Sequence, residues 1–403
     1  MRLVRTASAL LLWAALLASR GLFAQGVDDT PPPAIADQAR VALRPFDVRF
    51  VQPALPALLP TPQSVRALYV NAWAFGSPRF WQLVRLADET EINAFVVDVK
   101  DDTGCLLYPS AVPTAQEIGA NLCTRAKDAR ARLDTMLAHG IYPIARIVVA
   151  KDPRLAEHKP QWSVHLASGE LWRDRIGSAW VDAYNDSVWV YSGELAREAV
   201  RMGFAEVQFD YVRFPDEPRE RMASAIFSAR RQGESQRRAV QRHVQMIKAL
   251  VAPLGAPITF DIFGLTASAT DDMGIGQVWE DFSSVADVVL PMVYPSHYQR
   301  GAYGFAWPNG EPYKIVRRAL EEAQARSRAP DAAAIRPYLQ AFTLGRRLPR
   351  YTPREIREEI RATEDVGITS WVLWNPRSVY QRDALRPYRT VIDLATDLTP
   401  AGQ

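Results

Sequence analysis

The chain has 403 residues, 48% of them hydrophobic and 23% charged. Those proportions exclude a wholly disordered chain, a collagen or a coiled-coil rod, and the length suits one α/β barrel with decoration. The formal charge is +3, but Arg2, Arg5 and Arg20 lie in the first 24 residues, which carry no acid. The remainder is neutral and lacks the electrostatic footprint of a nucleic-acid binder.

Residues 1–24 read as a secretory signal. Arg2 and Arg5 form a basic start, Ala7 to Leu17 is apolar but too short to span a bilayer well, and Leu22-Phe23-Ala24 offers a cleavage site. The alternative is an uncleaved anchor. The expected location is periplasmic or secreted, with no stable membrane span after cleavage. Residues 25–64 are rich in proline, from Pro31-Pro32-Pro33 to Pro60 and Pro62, and read as a linker. The two cysteines are Cys105 and Cys123. Export would allow a disulfide closing a short loop after a strand; two free thiols are the alternative.

From Val65 onward short β-branched runs alternate with amphipathic stretches at helical spacing, as in repeated βα units. Eight strands are expected: Val65–Ala72, Ala94–Lys100, Tyr142–Val149, Glu206–Arg213, Ile258–Phe263, Asp287–Val293, Arg336–Phe342 and Thr369–Trp374. Helices are expected over Arg79–Glu89, Lys127–Ala138, Val188–Met202, Gln236–Val251, Tyr313–Arg326 and Pro353–Asp365. The last carries Thr352, Pro353 and Glu355 in the order of a capped N-terminus. This alternation predicts a (β/α)8 TIM barrel over residues 65–395, with a tail at 396–403. A doubly wound open sheet is the competing architecture, but the chain has neither G-x-G-x-x-G nor a Walker A loop.

Polar residues cluster late in these strands, at the end where barrels build active sites. In strand two Asp98 and Lys100 share a face, as a ligand-binding couple or as an internal ion pair. In strand four Gln208 and Asp210 share a face, and Asp210 is either a catalytic carboxylate or a structural partner for Arg213 or Lys100. Asp261 follows an apolar run near the C-terminal end of strand five, next door. Two carboxylates in different environments are what glycoside hydrolysis needs, one as acid and one as nucleophile or base. Burial and like-charge repulsion would raise one of the two pKa values. Arg146, Tyr211, Arg213, Tyr294, His297, Gln340, Trp374 and Asn375 add ligand-like groups at the same end, with Asn71 and Trp73 closing strand one. The loop after strand three carries Trp162, Trp172 and Trp180, whose rings suit sugar faces. The histidines form no H-x-H or H-E-x-x-H and no G-x-S-x-G elbow occurs, which disfavours a zinc hydrolase and a serine esterase.

Several runs resemble the bacterial glycoside hydrolase domain family catalogued as DUF4015. They include Phe95-Val96-Val97-Asp98-Val99-Lys100-Asp101-Asp102, Gln208-Phe209-Asp210-Tyr211-Val212-Arg213-Phe214-Pro215, Asp261-Ile262-Phe263-Gly264, Met292-Val293-Tyr294-Pro295-Ser296-His297-Tyr298 and Trp374-Asn375-Pro376. The resemblance implies a TIM barrel distantly similar to α-amylase-like and α-galactosidase-like hydrolases. It implies a nucleophile at Asp210, and an acid at Asp261 where amylase-like enzymes have Glu. The expected protein is an exported glycoside hydrolase acting on a polysaccharide without metal or cofactor. The alternatives are a non-catalytic carbohydrate-binding barrel and a structural scaffold whose tryptophan-bearing loop binds protein.

Overall fold

The computed structural model describes residues 58–345 and 348–388. The expected signal, most of the Pro-rich lead and the tail at 396–403 lie outside the described residues. Strands β1 (Arg66–Val70), β2 (Ala94–Lys100), β3 (Tyr142–Val148), β4 (Glu206–Asp210), β5 (Ile258–Phe263) and β6 (Val288–Met292) pair in parallel in chain order. The seventh stave comes in two pieces, β7 (Ala334–Ile335) and β8 (Tyr338–Gln340). Then β9 (Trp371–Trp374) pairs with β8 on one side and β1 on the other and closes the barrel. This is a (β/α)8 TIM barrel. Pro337 explains the break in the seventh stave, because it has no N–H to give the ladder.

The helices Arg79–Glu89, Gln236–Val251 and Pro353–Asp365 begin and end where the apolar spacing puts them. The others are Ala129–Ala138, Asp186–Met202 and Pro312–Arg326. Thr352 and Glu355 form a capping box, with Pro353 at the first helical position. Among the described residues no helix is long and apolar enough to cross a membrane. Cys105 and Cys123 are disulfide-bonded.

Side chains alternate between two compartments. Leu68, Phe95, Val97, Ile147, Phe209 and Phe260 face the helices and belong to the large outer core. Ala67, Val96, Ile144, Leu290 and Val372 fill the barrel's interior. At its N-terminal end Arg336 and Glu206 form a buried ion pair at 2.7 Å. At its C-terminal end the interior turns polar.

Strands β3, β6 and β8 end one or two residues before their expected limits, and two early ends, those of β4 and β1, move candidate residues out of the sheet. Strand β4 stops at Asp210 rather than Arg213, because Tyr211 takes a positive φ of 54°. Strand β1 stops at Val70, and Asn71 caps a short helix, Ala72–Phe75, by accepting a hydrogen bond from the Ala74 N–H at 2.7 Å. Trp73 lies in that helix, 66% exposed. Neither residue therefore ends a strand.

Candidate active site

The register sets Asp98, Arg146, Gln208 and Thr259 side by side on β2, β3, β4 and β5. One inward step further up lie Asp210, beside Val148, and Asp261, beside Leu290. Arg146 is the hub. Its Nη1 donates to Asp98 Oδ1 at 2.5 Å, its Nε donates to Asp210 Oδ2 at 3.1 Å, and its Nη2 donates to the same Asp210 oxygen. The same Nε lies 3.6 Å from Asp261 Oδ2. Tyr69 Oη donates to the second Asp98 oxygen at 2.5 Å, and the Tyr211 N–H donates to Asp210 Oδ1 at 2.5 Å. Gln208 Nε2 reaches Asp261 Oδ2 at 2.9 Å and the Tyr338 hydroxyl at 2.6 Å. Trp374 stacks on Tyr69 with ring centroids 3.8 Å apart, and the Arg146 guanidinium sits 5.2 Å from the Trp374 ring. Trp374 is half-buried and forms the rim of this layer.

One guanidinium faces three carboxyl groups, so the cluster cannot ionise fully without a net negative charge in a dry place. The burden falls on Asp261. Burial and then the neighbouring Asp210 charge push its pKa well above the usual carboxylate range, against the pull of Arg146. Its Oδ1 is buried with no hydrogen-bond partner, a burial that costs less for a neutral carboxyl than for a carboxylate. Burial also lifts Asp98, to about 6, with Arg146 and the Tyr69 hydroxyl opposing. Burial raises Tyr69, Tyr294 and Tyr338, so these phenols stay protonated donors. Asp210 is held by hydrogen bonds from Arg146 and from the Tyr211 N–H, while burial favours the neutral carboxyl on Asp261.

Asp98, Arg146, Asp210, Asp261, Tyr294 and Trp374 come together as the sequence suggests. Tyr211 and Arg213 stand beside them: the Arg213 guanidinium lies 4.7 Å from the Tyr211 ring, and burial lowers its pKa. His297 packs edge-on against Tyr294 at 5.3 Å, one step away from the carboxyl groups. Three expected sugar ligands are engaged elsewhere. A bulge at Val99 shifts the register, so Lys100 aligns with outward-facing Ile147 and its Nζ binds Asp152 at 2.7 Å, fully buried. It does not share a face with Asp98. Gln340 accepts from the Ser296 N–H and donates to the Asn309 side chain and the Phe342 carbonyl, bracing two loops. Asn375 donates to the Ala341 carbonyl at 2.6 Å and accepts from the Arg377 N–H. Trp172 and Trp180 are 1% and 3% exposed, so they are core residues rather than sugar platforms.

The sequence reading missed Tyr69 and Tyr338 and gave Gln208 no role. Strand parity was the available signal. Tyr69 pairs with Val96 and so shares the inward face with Asp98, and Tyr338 shares its strand face with Gln340.

A family model described as "Putative glycosyl hydrolase domain" (DUF4015) matches residues 67–380. No curated protein matches the chain. Among solved structures it is similar to a hypothetical protein from Ruminiclostridium thermocellum, at 34% identity over 52% of this chain and 98% of that one, TM-score 0.43. It is similar to the PgaB (BpsB) glycoside hydrolase domain from Bordetella bronchiseptica at 14% identity, covering 80% of this chain and 99% of that one, TM-score 0.55. It is also similar to α-L-fucosidase isoenzyme 2 from Paenibacillus thiaminolyticus at 14% identity, covering 84% and 50% respectively, TM-score 0.53. The last two likenesses are likenesses of fold.

Proposed function

We propose that this chain, which belongs to the DUF4015 family of glycosyl hydrolase domains, cleaves a polysaccharide with Asp210 as nucleophile and Asp261 as general acid. The observation that carries the reading is the asymmetry of the two carboxyl groups around one guanidinium nitrogen, at 3.1 and 3.6 Å. Asp210 lies where Arg146 and the Tyr211 N–H stabilise a negative charge. Asp261 lies where burial stabilises a proton. In the proposed reaction Asp210 attacks the anomeric carbon while Asp261 gives its proton to the departing oxygen. Water, deprotonated by Asp261, then releases the sugar from Asp210. Because both carboxyl groups reach one guanidinium nitrogen, the proposed reaction is a double displacement, which uses the shorter carboxyl spacing, rather than the mechanism that sets a water between them. The product is expected to retain its anomeric configuration, which NMR of the freshly released sugar checks.

We further propose export. Arg2, Arg5 and the apolar run Ala7 to Leu17 support it, as does the Cys105–Cys123 bond, which suits an oxidising compartment.

The test is Asp210→Asn in the purified protein, assayed for reducing-end release against a polysaccharide panel. Turnover is expected to vanish while the thermal transition persists; retained turnover refutes the assignment. A second reading, carbohydrate binding without cleavage, draws support from the tight closure of the site, with Asp210 5% and Asp261 1% exposed. Glycan binding with no reducing ends released at any pH would favour it.

A further inference from the structure

The C-terminal face carries a second feature that the carboxyl cluster does not use. A cleft of about 1110 Å³ opens between the loop after β6 and the loop after β8. His297, Arg300, Trp307, Asn309, Leu344 and Leu348 are among its lining residues. Trp307 is 62% exposed and lines the cleft together with the exposed Leu348. The Arg300 guanidinium lies over its ring, 4.2 Å from the centroid. Among the described residues no Asp or Glu lines the cleft.

The cleft is tied to the candidate active site by direct contacts. His297, on its wall, packs against Tyr294, and both pack against Phe342, with ring centroids 5.3–6.2 Å apart. Tyr294 in turn lies within electrostatic reach of Asp261 and Asp210. Gln340, buried at the top of β8, accepts from the Ser296 N–H and donates to Asn309, both in the loop after β6, and it donates to the Phe342 carbonyl in the loop after β8, so both edges of the cleft are braced from the barrel itself. The cleft thus neighbours the carboxyl cluster on the same face, with the Tyr294–His297–Phe342 rings between them.

We propose that this cleft is a sugar subsite, with Trp307 as the platform for a pyranose ring distant from the bond to be cut. The inference rests on the carbohydrate reading of the mouth. A pyranose has an apolar C–H face that suits an indole and a polar edge that suits the Arg300 guanidinium, while Asn309, engaged by Gln340 and the Leu348 carbonyl, shapes the floor. An aromatic residue paired with a hydrogen-bonding group, in a cleft beside the carboxyl pair, fits a chain of several sugars. The protein accordingly prefers long chains over single glycosides or disaccharides.

The test uses the whole protein and cello-, chito-, xylo- and malto-oligosaccharides of two and six residues, with affinity read by calorimetry. At least one hexasaccharide is expected to bind at least tenfold more tightly than its disaccharide. Trp307→Ala is expected to weaken that hexasaccharide about tenfold and to shrink the length preference. Trp81→Ala removes a half-exposed indole on the helix Arg79–Glu89 and serves as the control, with the preference retained. Absence of hexasaccharide binding, equal affinity for both lengths, or a Trp307→Ala variant that binds like the parent overturns the proposal. Hexasaccharide binding that depends on Trp307, in a protein that releases no reducing ends, keeps the subsite and removes the hydrolytic reading, so the two failures are distinguishable.

Discussion

Arg146 carries more of the site than any other side chain. It neutralises Asp98 and Asp210 and tempers Asp261, all in a nearly dry layer. Removing it strands buried carboxylates without a cation, so Arg146→Met is expected to lose about 3–5 kcal/mol of folding stability. Urea melts at pH 7 and pH 5 check this, with a smaller loss at pH 5, where the stranded carboxylates can take up protons. Asp98 has its own pH dependence. Its folded pKa of about 6 lies above its ordinary 3.8, so the folded state keeps a proton that the unfolded state gives up. Its contribution is complete below about pH 4 and is lost as pH rises to 6 and beyond, on the order of 3 kcal/mol in all. Asp98→Asn is expected to flatten that slope, measured as the midpoint of denaturation against pH. In the proposed mechanism the raised Asp261 acts on rate instead. Turnover should fall on the alkaline side as Asp261 surrenders its proton, visible as a falling limb in kcat against pH.

Among the elements, β2 shows what a sequence pattern can and cannot carry. Strict alternation assigns Asp98 and Lys100 to one face, and it was right for Asp98. The bulge at Val99 then rotates Lys100 into the outer layer, against Asp152, with its Nζ 5.0 Å from the centre of the Tyr191 ring. A bulge depends on the partner strand's register and leaves no composition mark, so Lys100 was unreadable. The helices were legible almost to the residue, because a 3.6-residue apolar period and caps such as Thr352–Glu355 are local. The carboxyl pair was legible because an Asp late in an apolar strand has few other uses. Gln340 and Asn375 look like ligands in sequence, and only loop geometry shows their amides already spent. Lys100→Met is expected to destabilise by about 3–5 kcal/mol, as Asp152 is left buried and unpaired. Adding Asp152→Asn should recover much of that loss, and a double-mutant cycle by chemical denaturation measures it.

At the scale of the whole molecule the barrel interior changes character along its axis. The Arg336–Glu206 pair and Tyr142 lie towards the N-terminal end, in register with apolar side chains such as Val96 and Ile144, and the Arg146 cluster occupies the C-terminal end. Stability and chemistry are therefore separable. Arg336→Met is expected to lower stability by about 3–5 kcal/mol yet leave kcat/KM unchanged in the folded fraction. Melting curves and steady-state assays on one preparation test both halves. The apolar side chains inside the barrel also bear on how hydrogen ions travel. In the proposed mechanism the proton of Asp261 arrives and departs through the doorway that admits the glycan. A long saccharide lying across that doorway would seal in whichever ionisation state it met on arrival, making the order of protonation and docking part of the enzyme's kinetics.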